Sequence, residues 1–370
     1  MDDLLKYQIA LTMMPGIGGI NAKKLISYCG GIEGVFKEKE QSLLKIPGIG
    51  KHLASAVRNF NQYDRVEQEM LFIEKNKIKT FFFTDKGYPE RLKHCDDGPI
   101  LLFLKGNADL NSRRMIAIVG TRSISEYGKT KCDEIVEGLK KYSPVIVSGL
   151  AYGVDARAHK GALQHKLQTV GVLGHGLDRI YPPLNANLAE QMVNENGGLV
   201  SDFVTQTKPD RENFPKRNRI IAGLVDALIV IEAAKTGGAL ITANIANSYN
   251  RDVFAVPGKT TDIYSQGCNM LIKANKAFLI DTAKDIEYIM RWEPENRKKN
   301  NAQQQLFVEL DEDETIITNL LKNNGETSFD SIFNQSGFSF SKTSSILLNL
   351  EFKGIVRPLP GKMFKLEKNL

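Results

Sequence analysis

The sequence has few cysteines, and none of them stands at metal-binding spacing. Its four cysteines lie far apart with no CxxC pair, so we expect reduced thiols, no zinc ribbon and no disulfide framework. No apolar stretch approaches the roughly 18 residues that a bilayer-spanning helix needs. The acidic start MDDLLKYQIA is unlike the basic n-region of a secretory signal. We therefore predict a cytoplasmic protein without a membrane partner or a metal site.

The familiar nucleotide-binding and catalytic signatures are also missing. A P-loop needs glycine five positions before Gly-Lys-Thr, where GTRSISEYGKT has Ser123 and the PGKT at 257–260 has Val253. Gly120 and Gly128 are eight positions apart, so the GxGxxG fingerprint is absent. No nucleophile elbow or Ser-His-Asp order is present. We expect no nucleotide cofactor and assign no catalytic residue.

One pair of titratable residues could suggest chemistry. The segment DARAH places Asp155 and His159 four positions apart on one helix face, as in an acid/base pair or half of a metal site. No further histidine or cysteine stands at ligand spacing. We interpret the pair as a carboxylate at a helix start beside a packed histidine.

What the chain does have is an ordinary globular composition. It contains 370 residues, 42% hydrophobic and 25% charged, which suffices for two or three domains. Lysine and arginine exceed aspartate and glutamate by 49 to 43, and this mildly basic balance permits a polyanionic partner.

An internal repeat marks the amino end. The segments at 13–26 and 45–58 share the core PGIG, and each is typical of a helix, a tight glycine turn and a second helix. This pattern resembles the helix-hairpin-helix module, and we predict a helical, SAM-like domain over residues 1–65. Its hairpins either accept DNA phosphates at the helix starts or only pack against each other.

Between residues 66 and 290 we predict a Rossmann-like domain. Short runs rich in Val, Ile and Leu, such as MIAIVG, PVIVSGL and ALIVIEA, alternate with amphipathic helical segments. Strands buried on both faces and separated by helices indicate a parallel α/β sheet.

The carboxyl end carries a smaller predicted domain. Residues 291–312 are polar and aperiodic, which is typical of a linker. Three helical segments and the hairpin RPLPGKMFKLE then predict a winged helix over 313–370. Its third helix is either a DNA recognition helix or a protein-docking element.

Ligands of open α/β sheets bind where strands end, so the loops after the predicted strands are the candidate site. GTRSIS supplies Arg122 and Ser125 at a helix start, and the TGG turn offers amides with Thr236 as a candidate cap. Arg217 and Arg219 are expected to begin a helix facing the same edge. Several phosphate-binding positions along one edge favour a polyanion, the alternative being a solvated helix end capped by Asn218.

Six blocks of the sequence closely resemble, in order, those of the bacterial DNA-processing protein A (DprA/Smf) family. They are IAIVGTRSISEYG, IVSGLAYGVDARAHKGAL, VGVLGHGLDRIYPPLNANL, NFPKRNRIIAGL, ALITANIANSYNRDVFAVPG and QGCNMLI, within a match from about residue 80 to 281. The resemblance implies a homodimeric single-stranded-DNA-binding protein of natural transformation, which protects incoming DNA and loads the RecA recombinase.

Carried onto matching positions, the resemblance implies a DNA-binding pocket in the Rossmann-like domain. Its members are Arg122, Ser125, Lys216, Arg217, Asn218, Arg219, Thr236, Gly237 and Gly238. Where the family often has SGSLITA, this chain has Gly237-Gly238-Ala239, which makes the turn more permissive. Phe214 is a candidate for base stacking.

A different class, the Rossmann-fold nucleotide phosphoribohydrolases, also has a glycine-rich turn after a strand. In that family a catalytic glutamate follows the turn within a few residues. GGALITAN contains none, which favours a binding protein over an enzyme.

Overall fold

The computed structural model describes residues 3–293, 310–359 and 362–367. The described residues up to 293 form one compact unit, and those from 310 onwards form a second. Most of the predicted linker, residues 294–309, lies outside the described residues. The predicted domain boundaries stay predictions. Across the three described stretches, no helix has both the length and the apolar character needed to cross a bilayer.

Six helices come first in the chain. They are α1 (Asp3–Thr12), α2 (Gly19–Tyr28), α3 (Ile32–Lys37), α4 (Glu40–Leu43), α5 (Lys51–Arg58) and α6 (Tyr63–Lys75). A PGIG turn precedes both α2 and α5, and its first glycine is left-handed in each case, with φ of 77° at Gly16 and 84° at Gly48. Only glycine adopts this conformation without strain, which explains the repeated residue. That these units form a helix-hairpin-helix domain stays a prediction.

A nine-stranded sheet forms the centre of the first unit. Its strands are β1 (Lys79–Phe82), β2 (Leu101–Gly106), β3 (Met115–Val119), β4 (Val145–Ser148), β5 (Thr169–Val172), β6 (Gly198–Ser201), β7 (Ala227–Val230), β8 (Asp252–Ala255) and β9 (Phe278–Leu279). The order across the sheet is β1-β2-β6-β5-β4-β3-β7-β8-β9. The last seven strands of this order, from β6 through β3 to β9, are parallel to one another. Strand β2 pairs antiparallel with both β1 and β6.

Helices cover both faces of this sheet. They are α7 (Glu90–Lys93), α8 (Glu126–Leu139), α9 (Val154–Gln164), α10 (Ala186–Asn194), α11 (Asn213–Gly223), α12 (Gly238–Ser248), α13 (Gln266–Lys273) and α14 (Ala283–Met290). Alternate residues of β3 enter different cores, with Ile116 and Ile118 on the side of α8 and α9 and Ala117 and Val119 on the side of α11 and α12. Burial on both faces explains the continuous Val/Ile/Leu runs and confirms the Rossmann-like prediction.

The second unit is a winged helix, as predicted. It contains α15 (Glu312–Asn324), β10 (Thr327–Ser328), α16 (Phe329–Ser336), α17 (Phe340–Phe352), β11 (Val356–Leu359) and β12 (Met363–Leu366). Asp311 and Glu314 form a capping box that fixes the start of α15. Ile317, Leu347 and Leu350 are buried in its core. The turn at 360–361 lies outside the described residues.

Candidate functional site

The candidate site lies at the carboxyl ends of the central strands. From β3 the chain crosses to β4 on one side, while β7 pairs with the other side of β3. This change of direction is a topological switch point, where adjacent loops separate and leave a crevice. The predicted site residues come from the loop after β3, from α11 and from the turn after β7.

The loop after β3 presents Arg122 to solvent. Its guanidinium carbon lies 5.7 Å from the ring centroid of Phe214. Ser125 caps α8 by accepting a hydrogen bond from the Gly128 amide, 3.1 Å away, and its hydroxyl donates a short hydrogen bond to the buried carboxylate of Glu232. The Ser125 amide also donates to Glu232, at 2.9 Å. The Ser125 hydroxyl is therefore used within the protein, where it fixes the loop that carries Arg122.

The predicted start of α11 is wrong. We expected Arg217 and Arg219 to begin the helix, but it starts at Asn213, so both arginines lie beyond its first turn. Pro215 does not end the helix because the amides of a first turn need no intrahelical partner. As a result Arg217 points into the protein rather than standing at a helix end.

Arg217 is a buried cation, 5% exposed, beneath the ring of Phe214. One guanidinium nitrogen donates to the carbonyl oxygen of Val172 at the end of β5. A side chain at Gly149, just after β4, would clash with the guanidinium, so a larger residue there would have to displace Arg217. Burial lowers the pKa of Arg217 to about 10, and the charge of Asp155 opposes that shift.

Asp155 is the carboxylate that faces Arg217. It is 8% exposed at the start of α9 and accepts hydrogen bonds from the amides of Gly149 and Ala151, at 3.2 and 3.3 Å. Burial raises the pKa of Asp155, while the charge of Arg217 opposes this effect. Asp155 is thus held by two amide hydrogen bonds and by the longer-range attraction of Arg217, with which it forms no direct ion pair.

The other members of the predicted set on α11 differ in their surroundings. Lys216 is exposed. Asn218 is buried, and its amide nitrogen lies 3.5 Å from the carbonyl oxygen of Gly238, which links α11 to the turn after β7. Arg219 forms an ion pair with Asp202 at 2.6 Å and donates to the carbonyl of Asp97. The charge of Arg219 is thus already neutralised by Asp202.

The turn after β7 is open to solvent. Thr236, Gly237 and Gly238 are all exposed. The prediction that Thr236 caps the following helix is wrong: Gly237 is the N-cap of α12, with φ of 151°, and no side chain caps it. The cap position requires this glycine conformation, so the first amides of α12 lack a side-chain acceptor.

Two features of the site were missed from the sequence. The ring centroid of Tyr181, in the loop after β5, lies 6.1 Å from that of Phe214. The sequence indication for Tyr181 was an aromatic residue in a loop that follows a predicted strand. Glu232, which holds Ser125, lies two residues after the end of β7. The sequence gave no indication of this role, because the two partners are 107 positions apart.

The geometry of His159 agrees with a packed residue. Its Nδ1 lies 2.6 Å from the hydroxyl of Thr169, the residue is fully buried, and burial lowers its pKa to about 3. Within the described stretches, no three His, Cys, Asp or Glu side chains are arranged to hold a metal ion.

Two lysines of the winged helix are paired with acidic residues. On α17, Lys342 is paired with Asp313 at 2.7 Å, and just beyond the helix Lys353 is paired with Glu314 at 2.6 Å. Leu348 and Phe352 of α17 are 51% and 81% exposed. Both roles considered for this helix stay predictions.

These features define a Rossmann-like protein with an exposed arginine, an aromatic pair and an uncapped helix start at one sheet edge, followed by a winged helix. The family model for DNA recombination-mediator protein A matches residues 79–291, and the DprA winged helix domain model matches residues 301–362. The chain belongs to the DNA recombination-mediator protein A family, as its sequence resemblance indicated.

Relatives with curated names support this membership. The chain is 37% identical to Protein Smf of Synechocystis over 276 residues, covering 72% of this chain and 68% of that protein. It is 40% identical to DNA processing protein DprA of Streptococcus pneumoniae over 225 residues, covering 61% and 79%. It is 32% identical to Protein Smf of Escherichia coli over 310 residues, covering 82% and 81%.

Two solved structures share the fold. The X-ray structure of Streptococcus pneumoniae DprA superposes with a TM-score of 0.65 at 33% identity, covering 78% of this chain and 98% of that one. DNA processing protein A of Helicobacter pylori, whose structure concerns its single-stranded DNA binding mode, superposes with a TM-score of 0.52 at 28% identity, covering 58% and 96%.

Proposed function

We propose that this chain binds single-stranded DNA at the carboxyl edge of its sheet, protects DNA entering during natural transformation and loads the RecA recombinase onto it. The observation that carries this proposal is the exposed Arg122, whose guanidinium carbon lies over the ring of Phe214 at the switch point. The family membership and the binding mode named for the Helicobacter pylori protein support it. The proposed role is binding and transfer of a strand in the cytoplasm, with no covalent step.

In this proposal the predicted residues have two kinds of role. Arg122 and Lys216 contact phosphates as cations, and the turn Thr236–Gly238 offers the free amides of α12, where the helix dipole favours an anion. Ser125, Arg217, Asn218 and Arg219 support these contacts through their bonds within the protein.

Phosphate contacts alone would not separate a single strand from a duplex. Aromatic rings stack on bases, and a duplex keeps its bases stacked on each other. The aromatic pair of Tyr181 and Phe214 beside Arg122 therefore favours single strands. Because every base has a π-face, we expect little sequence preference.

We further propose that the protein acts as a homodimer. Strand β9 lies at one edge of the sheet, and its two residues, Phe278 and Leu279, are 52% and 53% exposed. An open strand edge with exposed apolar side chains is a surface that a second chain can cover.

The proposal is tested by fluorescence anisotropy with a labelled oligonucleotide, single-stranded and as a duplex of equal length. We expect tighter binding of the single strand and, in a parallel assay, faster RecA filament assembly when the protein is added. Equal affinity for both forms would contradict single-strand recognition. Assembly at an unchanged rate would contradict RecA loading alone.

A further inference from the structure

Tyr181 offers the open aromatic surface of the site. It follows β5 in the loop that leads to α10, and 42% of its surface is exposed. Phe214, by contrast, is only partly exposed, and the guanidinium carbons of Arg122 and Arg217 lie over its ring at 5.7 and 5.9 Å. The ring face of Phe214 is thus already used by cations, whereas Tyr181 is available to a ligand.

The spacing of the two rings limits where a base can lie. Their centroids are 6.1 Å apart with an interplanar angle of 31°. A base inserted between two rings needs about 7 Å, twice the ~3.4 Å step of a stacked strand. The rings are too close and too tilted for insertion, so the outer face of Tyr181 is the surface that a base can reach.

Arg122 lies within the reach of the same strand. The two separations through Phe214, 5.7 and 6.1 Å, place the guanidinium carbon of Arg122 less than 12 Å from the Tyr181 ring. This span equals roughly three steps of a stacked strand at ~3.4 Å each, and fewer steps of an extended one. One short stretch of DNA can therefore place a phosphate on Arg122 and a base on Tyr181.

We propose that Tyr181 is a base-stacking residue, which holds one base of the bound strand on its outer ring face while Arg122 holds a nearby phosphate. The inference rests on the proposed function and adds to it the particular ring face, on Tyr181 and not on Phe214, that takes the base. Stacking on an aromatic ring tolerates any base. Its strength does not fall with salt concentration, whereas that of phosphate contacts does.

The test compares an oligothymidylate with an abasic oligonucleotide of the same length and charge. We expect Tyr181→Ala to weaken oligothymidylate binding by roughly 5- to 150-fold, the range for one stacked base. Its affinity for the abasic strand and its salt dependence should equal those of the wild type. Tyr181→Phe should bind both strands normally. Tyr288→Ala, which removes an 85% exposed tyrosine on α14, is the matched control and should also bind normally.

Tyr181→Leu guards against loss of folding, since leucine keeps apolar bulk beside Phe214 but has no π-face. A loss with Leu as large as with Ala, at normal circular dichroism, supports stacking. Normal oligothymidylate binding by Tyr181→Ala would overturn the inference and leave the proposed function standing. An equal loss on both strands would also overturn it, because Tyr181 would then act by holding Phe214. If the wild type binds no single strand, the proposed function fails and this inference with it.

Discussion

Replacing Arg122 by alanine tests whether the strand edge binds phosphates. The side chain is exposed and forms no ion pair among the residues that the structure describes, so its charge is available to DNA. For single strands, log affinity falls with log salt by about 0.7 for each phosphate contact. Arg122→Ala should therefore reduce the slope by about 0.7. Between 50 and 200 mM salt, the affinity deficit of the variant should shrink by about 2.6-fold.

The assay is anisotropy with a labelled oligothymidylate at several salt concentrations. Arg113→Ala is the matched control. Arg113 is also exposed, but it lies just before the amino end of β3, whereas the candidate site lies at the carboxyl ends of the strands. Both variants remove one positive charge, so a general effect of net charge would change both slopes equally. Arg122→Lys should keep the slope and lose affinity, because lysine cannot bind two oxygens at once. A wild-type slope in Arg122→Ala would refute phosphate binding at this position.

Three further predictions concern stability and assembly. Asp155→Asn removes the negative charge that acts on the buried Arg217 and should lower the free energy of unfolding in urea by about 1–3 kcal/mol. Adding Arg217→Met should recover part of that loss, and an unchanged unfolding midpoint in Asp155→Asn would contradict the electrostatic coupling. Burial lowers the pKa of His159 from 6.5 to about 3, so between these pH values the unfolded chain binds a proton that the folded chain does not. The contribution of His159 to the free energy of unfolding is therefore complete above about pH 6.5. It declines by about 1.4 kcal/mol per pH unit as the pH falls towards 3. His159→Gln should flatten that dependence and the exposed His52→Gln should not. Leu279→Asp should convert a dimer to a monomer in sedimentation velocity, with circular dichroism checking that the fold is kept. An unaltered dimer would place the interface elsewhere.

The sequence predicts the strands well because each central strand is buried on both faces. The runs MIAIVG and ALIVIEA contain β3 and β7 with ends displaced by only a few residues. Strand β9 is two exposed residues long, so it carries no such hydrophobic signal. The helix α11 starts four residues before Arg217, at Asn213, because proline is accepted in a first turn and Pro215 does not end the helix.

The candidate site was only partly predictable, because pairing across the fold decides which polar groups remain free. Arg122 and Arg219 look alike in the sequence, yet Asp202 and the carbonyl of Asp97, 122 positions away, engage only Arg219. Ser125 likewise looks like a phosphate ligand until Glu232 is placed beside it. Local sequence indicates which edge is polar, but only the tertiary structure shows which charges are already neutralised.

The bonds between Ser125 and Glu232 also have a kinetic consequence. They fix the loop of Arg122 to the end of β7, so the loop needs no rearrangement before a strand arrives. The ordering entropy of binding then falls mainly on the flexible DNA. Association should accordingly follow a single phase with a rate proportional to protein concentration, and variants of this edge should differ chiefly in how long the strand stays bound.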